Sequence, residues 1–397
     1  MSHELTCPVC GAKHWDVFFK MPEMPIYCNV LWSEQHAART CAKGNIHLAF
    51  CPNCGFIGNV AFDPLQMEYT QAYENALDFS PTFQNYAGEL AARLVKTYSL
   101  YSKDLIEIGC GKGEFLFSLC EMGNNRGIGF DPTYVQLPDH ELEGTQVQII
   151  QDFYSEQYAG YPCDFIYCRH TLEHIKDPIS LIKLVREVIG DRSNIASFFE
   201  VPNALDTFQN MAIWDIIYEH CCYFTAASIS YAFSSCGFQI HEIWKEYQGQ
   251  FLCLEAKAGE VNYQITDNQA QEVKQLEDKI RSFSSKFDEI VKNWNRKLET
   301  IVGNNKRVVI WGGGSKGISF LNLLETADLI KYVVDINPRK VGMYTSVTAH
   351  KIIAPSFLKE YEPDVVLVMN NIYIDEIRKM LDGLGLHPEL LSLSDHC

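Results

Sequence analysis

Two short strings bring four thiols into position to hold one metal ion. Cys7-Pro-Val-Cys10-Gly and Cys51-Pro-Asn-Cys54-Gly repeat the same C-P-x-C-G turn. A two-residue spacer lets both sulfurs of a turn face one point, and the glycine leaves backbone amides able to approach them. A pair of such turns makes a closed tetrahedral four-cysteine site of the kind that structural zinc occupies, with no open position for chemistry. A redox dithiol is the other use of a C-x-x-C turn, but it does not call for two matched copies. A second pattern is Gly109, Gly111 and Gly113 on alternate positions, with Glu107 two places before the first. Glycines there bring backbone amides close to a ligand at the head of a helix. Asp131 and Asp152 each close a short apolar run, where α/β folds offer carboxylates to ribose hydroxyls and base amino groups. A third set could move protons: Tyr218-Glu219-His220, and His170 with His174 further upstream. Neighbouring Glu and His point apart on a helix or a strand, so Glu219 and His220 need not act as a pair, and His170 and His174 stand as the rival base.

Composition limits what these groups can serve. The chain has 397 residues, enough for two or three domains, and 47% hydrophobic residues, so burial is not limiting. A net charge of −17 argues against binding a nucleic-acid backbone. No apolar run approaches the ~20 residues of a membrane helix, and the N-terminus lacks a signal-peptide pattern. Fifteen cysteines without a secretory signal suit a reducing cytoplasm and metal binding rather than disulfides.

The elements that must carry these groups read as α/β. Leu105, Ile106 and Ile108 form a buried parallel strand, and Leu116, Phe117, Leu119 and Cys120 come next at helical spacing. Further strands are expected at Ile128–Asp131, before Asp152, at Asp164–Arg169 and at Ile195–Pro202, with Gln250–Ala256 as a last edge strand. Ahead of them, Tyr69, Tyr73, Phe79, Phe83 and Tyr86 crowd a segment suited to a lid over a substrate. Thr266–Ile301 lacks Pro and Gly, and its apolar residues recur every three or four positions, which predicts an amphipathic helix or helix pair linking domains. A second α/β unit then opens with Val308–Trp311 and the loop Gly312-Gly-Gly314-Ser-Lys316-Gly317, with Asp335 ending the next strand. That loop fits G-x-G-x-x-G and, taken alone, points to NAD or another pyrophosphate.

The first glycine string, E-x-G-x-G-x-G, resembles motif I of class I S-adenosylmethionine (SAM) methyltransferases. With the zinc knuckles, the connector and the second Rossmann-like unit, the chain as a whole resembles the nucleotide-sugar C-methyltransferases of the tetronitrose type. The knuckles, EIGCGKG, YEH with the YFT after it, and DINPRKVGMYT carry that likeness. It implies a zinc-binding domain at 1–66, a SAM-dependent methyltransferase domain at 67–260, a helical connector at 261–303 and a Rossmann-like domain at 304–397 that uses no NAD. The metal ligands would be Cys7, Cys10, Cys51 and Cys54. Glu107, Gly109, Gly111, Gly113, Asp131, Asp152 and His170 would hold the cofactor. The resemblance puts the catalytic groups on His220, Glu219, His174 and Tyr73, with His220 as base, and leaves Tyr218 as an aromatic that the family pattern need not include. Arg169-His170 and Cys221-Cys222 depart from that pattern. The implied reaction removes a proton beside the ketone of a nucleotide-diphosphate sugar and transfers a methyl group to that carbon, in a cytoplasmic monomer or homodimer. Methylation of another O, N or C acceptor, and a non-catalytic SAM or NAD sensor, are the alternatives.

Overall fold

A computed structural model describes residues 5–67, 73–135, 146–259 and 266–393; Tyr69 of the aromatic segment lies outside them. The chain opens with the first knuckle and a hairpin of β1 (Asp16–Pro25) and β2 (Lys43–Phe50), separated by α1 (Gln35–Arg39). This hairpin fills the long spacing between the two Cys pairs. The second knuckle leads into β3 (Ile57–Asn59), and Ser80 then caps α2 (Pro81–Tyr98) by accepting from the Phe83 amide.

The middle of the chain alternates strand and helix. It runs β4 (Asp104–Ile108), α3 (Glu114–Gly123), β5 (Arg126–Phe130), β6 (Val147–Ile150), β7 (Phe165–Arg169), α4 (Pro178–Ile189), β8 (Ala196–Pro202) and α5 (Ala204–Gln209). After these come β9 (Cys222–Tyr223), α6 (Ala226–Ser235), β10 (Phe238–Glu246) and β11 (Phe251–Ala258). One seven-stranded sheet has the order β10-β11-β8-β7-β4-β5-β6. Strands β6, β5, β4, β7 and β8 are parallel, and β11 and β10 are added antiparallel. The chain leaves β4 toward β5 and β6, then returns to β7 on the other side. Such a switch point opens a crevice beyond the carboxyl ends of the strands, and Gly109, Asp131 and His170 lie just past those ends. The expected edge strand near 250–256 lies one place inside the edge. The true edge is β10, whose mixed sequence FQIHEIWKE and largely exposed or half-exposed side chains hide it from an apolar-run reading.

The N-terminal sheet is completed from a distance. Its order is β1-β2-β3-β9, with Ile57 opposite Tyr223 and Gly58 opposite Cys222. The residues directly after His220 are therefore a strand of the sheet that the knuckles frame.

The expected connector is one 37-residue helix, α7 (Asp267–Gly303), about 55 Å long at 1.5 Å per residue. Thr266 and Gln269 close a capping box at its start. Val273, Leu276, Ile280, Phe283, Ile290, Trp294, Leu298 and Ile301 form one buried stripe. Along it, Phe283 meets Phe19 of β1 and Phe208 of α5, and Trp294 meets Phe320 beyond the helix, with ring centroids 5.0–5.3 Å apart. The helix is thus a spine against which three parts of the chain pack, more than a link between two.

The last unit is β12 (Val308–Trp311), α8 (Ser315–Leu323), β13 (Tyr332–Val334), β14 (Lys351–Ile353), α9 (Leu358–Tyr361), β15 (Val365–Val368), α10 (Ile374–Leu384) and β16 (Glu389–Ser392). Its five strands are all parallel, in the order β14-β13-β12-β15-β16. It too has a switch point, at β12, and the Gly312 loop leaves from there. Among the described residues no helix is long and apolar enough to cross a membrane.

Candidate active site between two glycine loops

The two knuckles adopt matching turns. Gly11 N donates to Cys7 O and Gly55 N to Cys51 O, both at 2.9 Å, with φ of +72° and +75° at the glycines. Only a residue without a Cβ adopts that backbone cheaply. The sulfurs of Cys7 and Cys54 lie 3.8 Å apart and those of Cys10 and Cys51 3.5 Å apart. A tetrahedron with Zn–S bonds of ~2.3 Å has edges of ~3.8 Å, and all four sulfurs lie within 4.8 Å of one another, a cluster compatible with structural zinc.

The first glycine loop fits a cofactor in the same sense. A Cβ on Gly111, at φ +58°, would meet nothing within 4 Å, so the loop faces open space there. Gly109 and Gly113 are closed in: a Cβ would come within 2.0 Å of Thr171 Oγ1 and 2.6 Å of Ile149 Cδ1 respectively. Gly111 N donates to Asp131 Oδ2 at 2.9 Å, which fixes the loop on the end of β5. Asp131 also accepts from the Thr133 amide, and among the described residues it makes no ion pair. Glu107 is buried in β4, accepts from the Tyr167 hydroxyl at 3.1 Å, and burial pushes its carboxyl up to about 8. Asp152 accepts from Tyr158 Oη at 2.6 Å and from Gln157 at 3.0 Å.

Beyond this loop lies a cavity of about 310 Å³, lined on one side by Tyr73, His170, His174 and His220 and on the other by Gly312 and Asn370. His174 and His220 meet edge to face, with ring centroids 4.9 Å apart. His174 Nδ1 is 2.9 Å from the Glu219 carbonyl oxygen. A carbonyl only accepts, so that nitrogen carries the proton and Nε2 is left as the acceptor. Burial lowers His174 to about 4 and His220 well below its ordinary value, where each neighbouring imidazole adds to the effect. Both are neutral bases at about pH 7. Glu173 stands beside them, buried, and pushed by burial up to about 8. Its carboxylate and the two imidazoles have donor atoms within 4.8 Å of one another.

Glu219 enters this site through its backbone. Its carboxyl is fully buried, and neither oxygen makes a hydrogen bond to a described residue; burial raises it to about 8 while the nearby Cys28 and Asn29 amides pull the other way. Asn29 Nδ2 in turn donates to the Tyr73 hydroxyl at 3.3 Å, and Val30 bridges to Tyr73. Tyr218 turns away from the cavity: the Asp63 amide donates to its hydroxyl at 2.9 Å and its ring covers Gly44.

His170, at φ +48°, sets its Nε2 2.5 Å from Glu200 Oε1. The same carboxylate takes Arg169 at 3.0 Å and Tyr86 Oη at 2.5 Å. Burial would raise Glu200, but Arg169 and His170 outweigh it and bring the carboxyl to about 2. Sequence reasoning missed Glu200. Its signal was a lone acid inside the apolar strand IASFFEVP, since an unpaired carboxylate is almost never buried.

In the second glycine loop, Gly313 N donates to Asp335 Oδ2 at 2.8 Å, the same closure seen at Gly111. Here the acid also faces the buried ammonium of Lys340 at 3.6 Å, so the carboxylate that a dinucleotide ribose would need is already neutralised. Lys316 pairs with Asp215 of the middle sheet unit at 2.9 Å.

Two spans of the chain match known families. Residues 83–243 match the family described as "Methyltransferase domain" and residues 251–385 the "C-methyltransferase C-terminal domain". A ubiquinone biosynthesis O-methyltransferase of Pseudoalteromonas translucida (strain TAC 125) is 34% identical over 116 residues, 27% of this chain and 47% of that protein. One from Escherichia coli O127:H6 is 30% identical over 110 residues, 26% of this chain and 45% of that one. The chain thus spans about half the length of the curated relatives it matches. Among solved structures, magnesium protoporphyrin IX methyltransferase from Synechocystis PCC 6803 is 18% identical with a TM-score of 0.34, covering 45% of this chain and 84% of its own. The 1,6-didemethyltoxoflavin-N1-methyltransferase of Burkholderia thailandensis is 12% identical with a TM-score of 0.34, covering 45% and 82%. Strand order, the motif I loop and the first match define a class I SAM-dependent methyltransferase domain. A C-methyltransferase C-terminal domain comes after it, and ahead of both stands a four-cysteine site compatible with structural zinc.

Proposed function

We propose that this protein is a SAM-dependent C-methyltransferase acting on a nucleotide-linked ketosugar. The observation that carries the proposal is the cavity itself, which sets two neutral histidines opposite the second glycine loop. When bound at the first loop, SAM supplies an electrophilic methyl group. A ketosugar carbon is not nucleophilic until it loses a proton, so the chain must provide a base and a group for the enolate oxygen. His220 is assigned the first task, and its neutral ring can accept a proton at about pH 7. His174, with its tautomer fixed by Glu219 O, stands next to the imidazolium that would form. Tyr73, which accepts from Asn29, is assigned the enolate oxygen, and the Glu219 backbone carbonyl holds His174. His170, which lines the same cavity and lies against Glu200, is assigned to the cofactor. The second unit would hold the nucleotide with the amides at the head of α8, in a four-part division near residues 66, 260 and 303.

The test is incubation with methyl-labelled SAM and a panel of thymidine- and uridine-diphosphate ketosugars. Label on a ring carbon, with solvent deuterium entering at that carbon, is the expected result. Label on oxygen without carbon exchange would assign an O-methyltransferase, the activity named for the ubiquinone relatives.

A further inference from the structure

Behind the cavity wall lies a buried carboxylate whose partners come from two other units of the chain. Glu74 has 6% of its side chain exposed. It forms a close ion pair with Lys112, which sits between Gly111 and Gly113 of the cofactor loop. It also accepts from Asn337 Nδ2 at 3.1 Å and Arg339 Nη1 at 3.4 Å, both on the loop after β13. The Glu74 amide donates to Asn29 O at 2.8 Å, on the N-terminal loop that holds Tyr73. Asn337 N donates to Asp335 Oδ1 at 2.8 Å, and Asp335 Oδ2 accepts from Gly313 N at 2.8 Å. An unbroken polar chain therefore runs from Lys112 in the first glycine loop through Glu74, Asn337 and Asp335 to Gly313 in the second.

The segment that Glu74 belongs to is the cavity's roof. Tyr73 before it, and Asn75, Leu77, Phe79 and Ser80 after it, line the cavity while Glu74 faces outward to the junction. The far end of the roof is tied to the same C-terminal unit, since Ser80 Oγ and Thr82 N both donate to Glu376 Oε2, at 2.7 and 3.1 Å. Arg339 lies 5.4 Å over the Phe79 ring between the two ties. A buried carboxylate is costly without its cations, so the roof, the cofactor loop and the Asn337 loop are tied together through Glu74.

We propose that Glu74 is a positioning residue that couples the two glycine loops, so that filling the cofactor loop orders the roof and the second loop for the acceptor. The proposal rests on the cofactor binding at Gly109–Gly113, and the experiment separates the two ideas. Hydrogen exchange is followed by mass spectrometry with and without S-adenosylhomocysteine, in the wild-type chain and in Glu74→Gln, which keeps the shape and removes the charge. In wild type the ligand is expected to slow exchange at 105–113 and also, about fivefold or more, at 73–80 and 311–317, a ratio at the low end of ordinary coupling between sites. In E74Q the protection at 105–113 is expected to remain and the distal protection to vanish, with exchange in β8 unchanged as the check on folding. Asn337→Ala, which cuts the chain between Glu74 and Asp335 and leaves Glu74 paired with Lys112 and Arg339, is the second variant should E74Q not fold, and it is expected to lose protection at 311–317. Distal protection that survives in the variants overturns the coupling, as does its absence in wild type while 105–113 is protected. No protection at 105–113 in wild type overturns the cofactor assignment itself and the coupling with it.

Discussion

Replacing His220 by Gln tests the chemistry most directly. The side chain faces the cavity and stands 4.9 Å, centroid to centroid, from His174, while the cofactor loop is carried by a different strand end. The amide fills the space but takes no proton, so S-adenosylhomocysteine affinity is expected to change less than about twofold. Losing a general base costs about 10²–10⁴ in rate, equal to about 2.7–5.4 kcal/mol of barrier. The lower end is expected here, because His174 is close enough to accept the proton poorly. The assay is a paired one, methyl transfer in a single turnover and deuterium entry at the acceptor carbon in the same samples, and both should fall together. His174→Gln should slow transfer with less effect on exchange. Exchange that persists in His220→Gln and disappears in His174→Gln would refute the assignment and exchange the two roles.

The four-cysteine site predicts about one zinc per chain by elemental analysis, and its removal by a chelator should unfold the N-terminal sheet, since binding energy at such sites is folding energy. A folded, metal-free chain would contradict this. Glu219, raised by burial from 4.5 to about 8, stabilises the fold fully below pH 4.5 and loses that contribution as pH rises through 8. Glu219→Gln is accordingly expected to raise the melting temperature relative to wild type at about pH 8 and to leave it nearly unchanged at about pH 5. His174 runs the other way: its folded value of about 4 means that stability falls as pH drops from 6.5 toward 4, so acid unfolding of His174→Gln should begin at lower pH than that of wild type. Phe283→Ala, at a fully buried ring touching Phe19 and Phe208, should cost ~3–5 kcal/mol in denaturant melts.

The parts legible in the sequence were those governed by local rules. The knuckles and the motif I turn depend on glycines at fixed offsets, and α7 depends on a three-four repeat, so each could be read from neighbours in the chain. What the sequence hid was set by distance. Glu74 has no local pattern around it; its partners Lys112, Asn337 and Arg339 come from two other units. Tyr218-Glu219-His220 read as one cluster, yet the turn at Tyr218–Glu219 sends the three side chains to three places: the Asp63 amide, a buried site near Cys28 and Asn29, and the cavity. The edge strand β10 was missed because a half-solvated strand need not be apolar. The second glycine loop looked like a dinucleotide site until Lys340, 27 residues from Gly313, was seen against Asp335.

The strand Cys222–Tyr223 has a consequence for any attempt to divide this protein. The span matching a methyltransferase domain, 83–243, looks like a portable module, but it contains an edge whose hydrogen-bonding partner, Ile57–Gly58, lies outside it. Cut at residue 83, the excised piece would present two unpaired strand residues shortly after His220 and would lose Cys28 and Asn29 from around Glu219. Sequence modules and cooperative units are not the same objects here. An ion held more than 150 positions upstream of His220, by four cysteines that never meet the acceptor, would through one borrowed strand help decide where a proton is taken. Swapping the N-terminal region between relatives should then alter turnover as well as thermal tolerance, and a minimal catalytic fragment would have to begin ahead of Cys7.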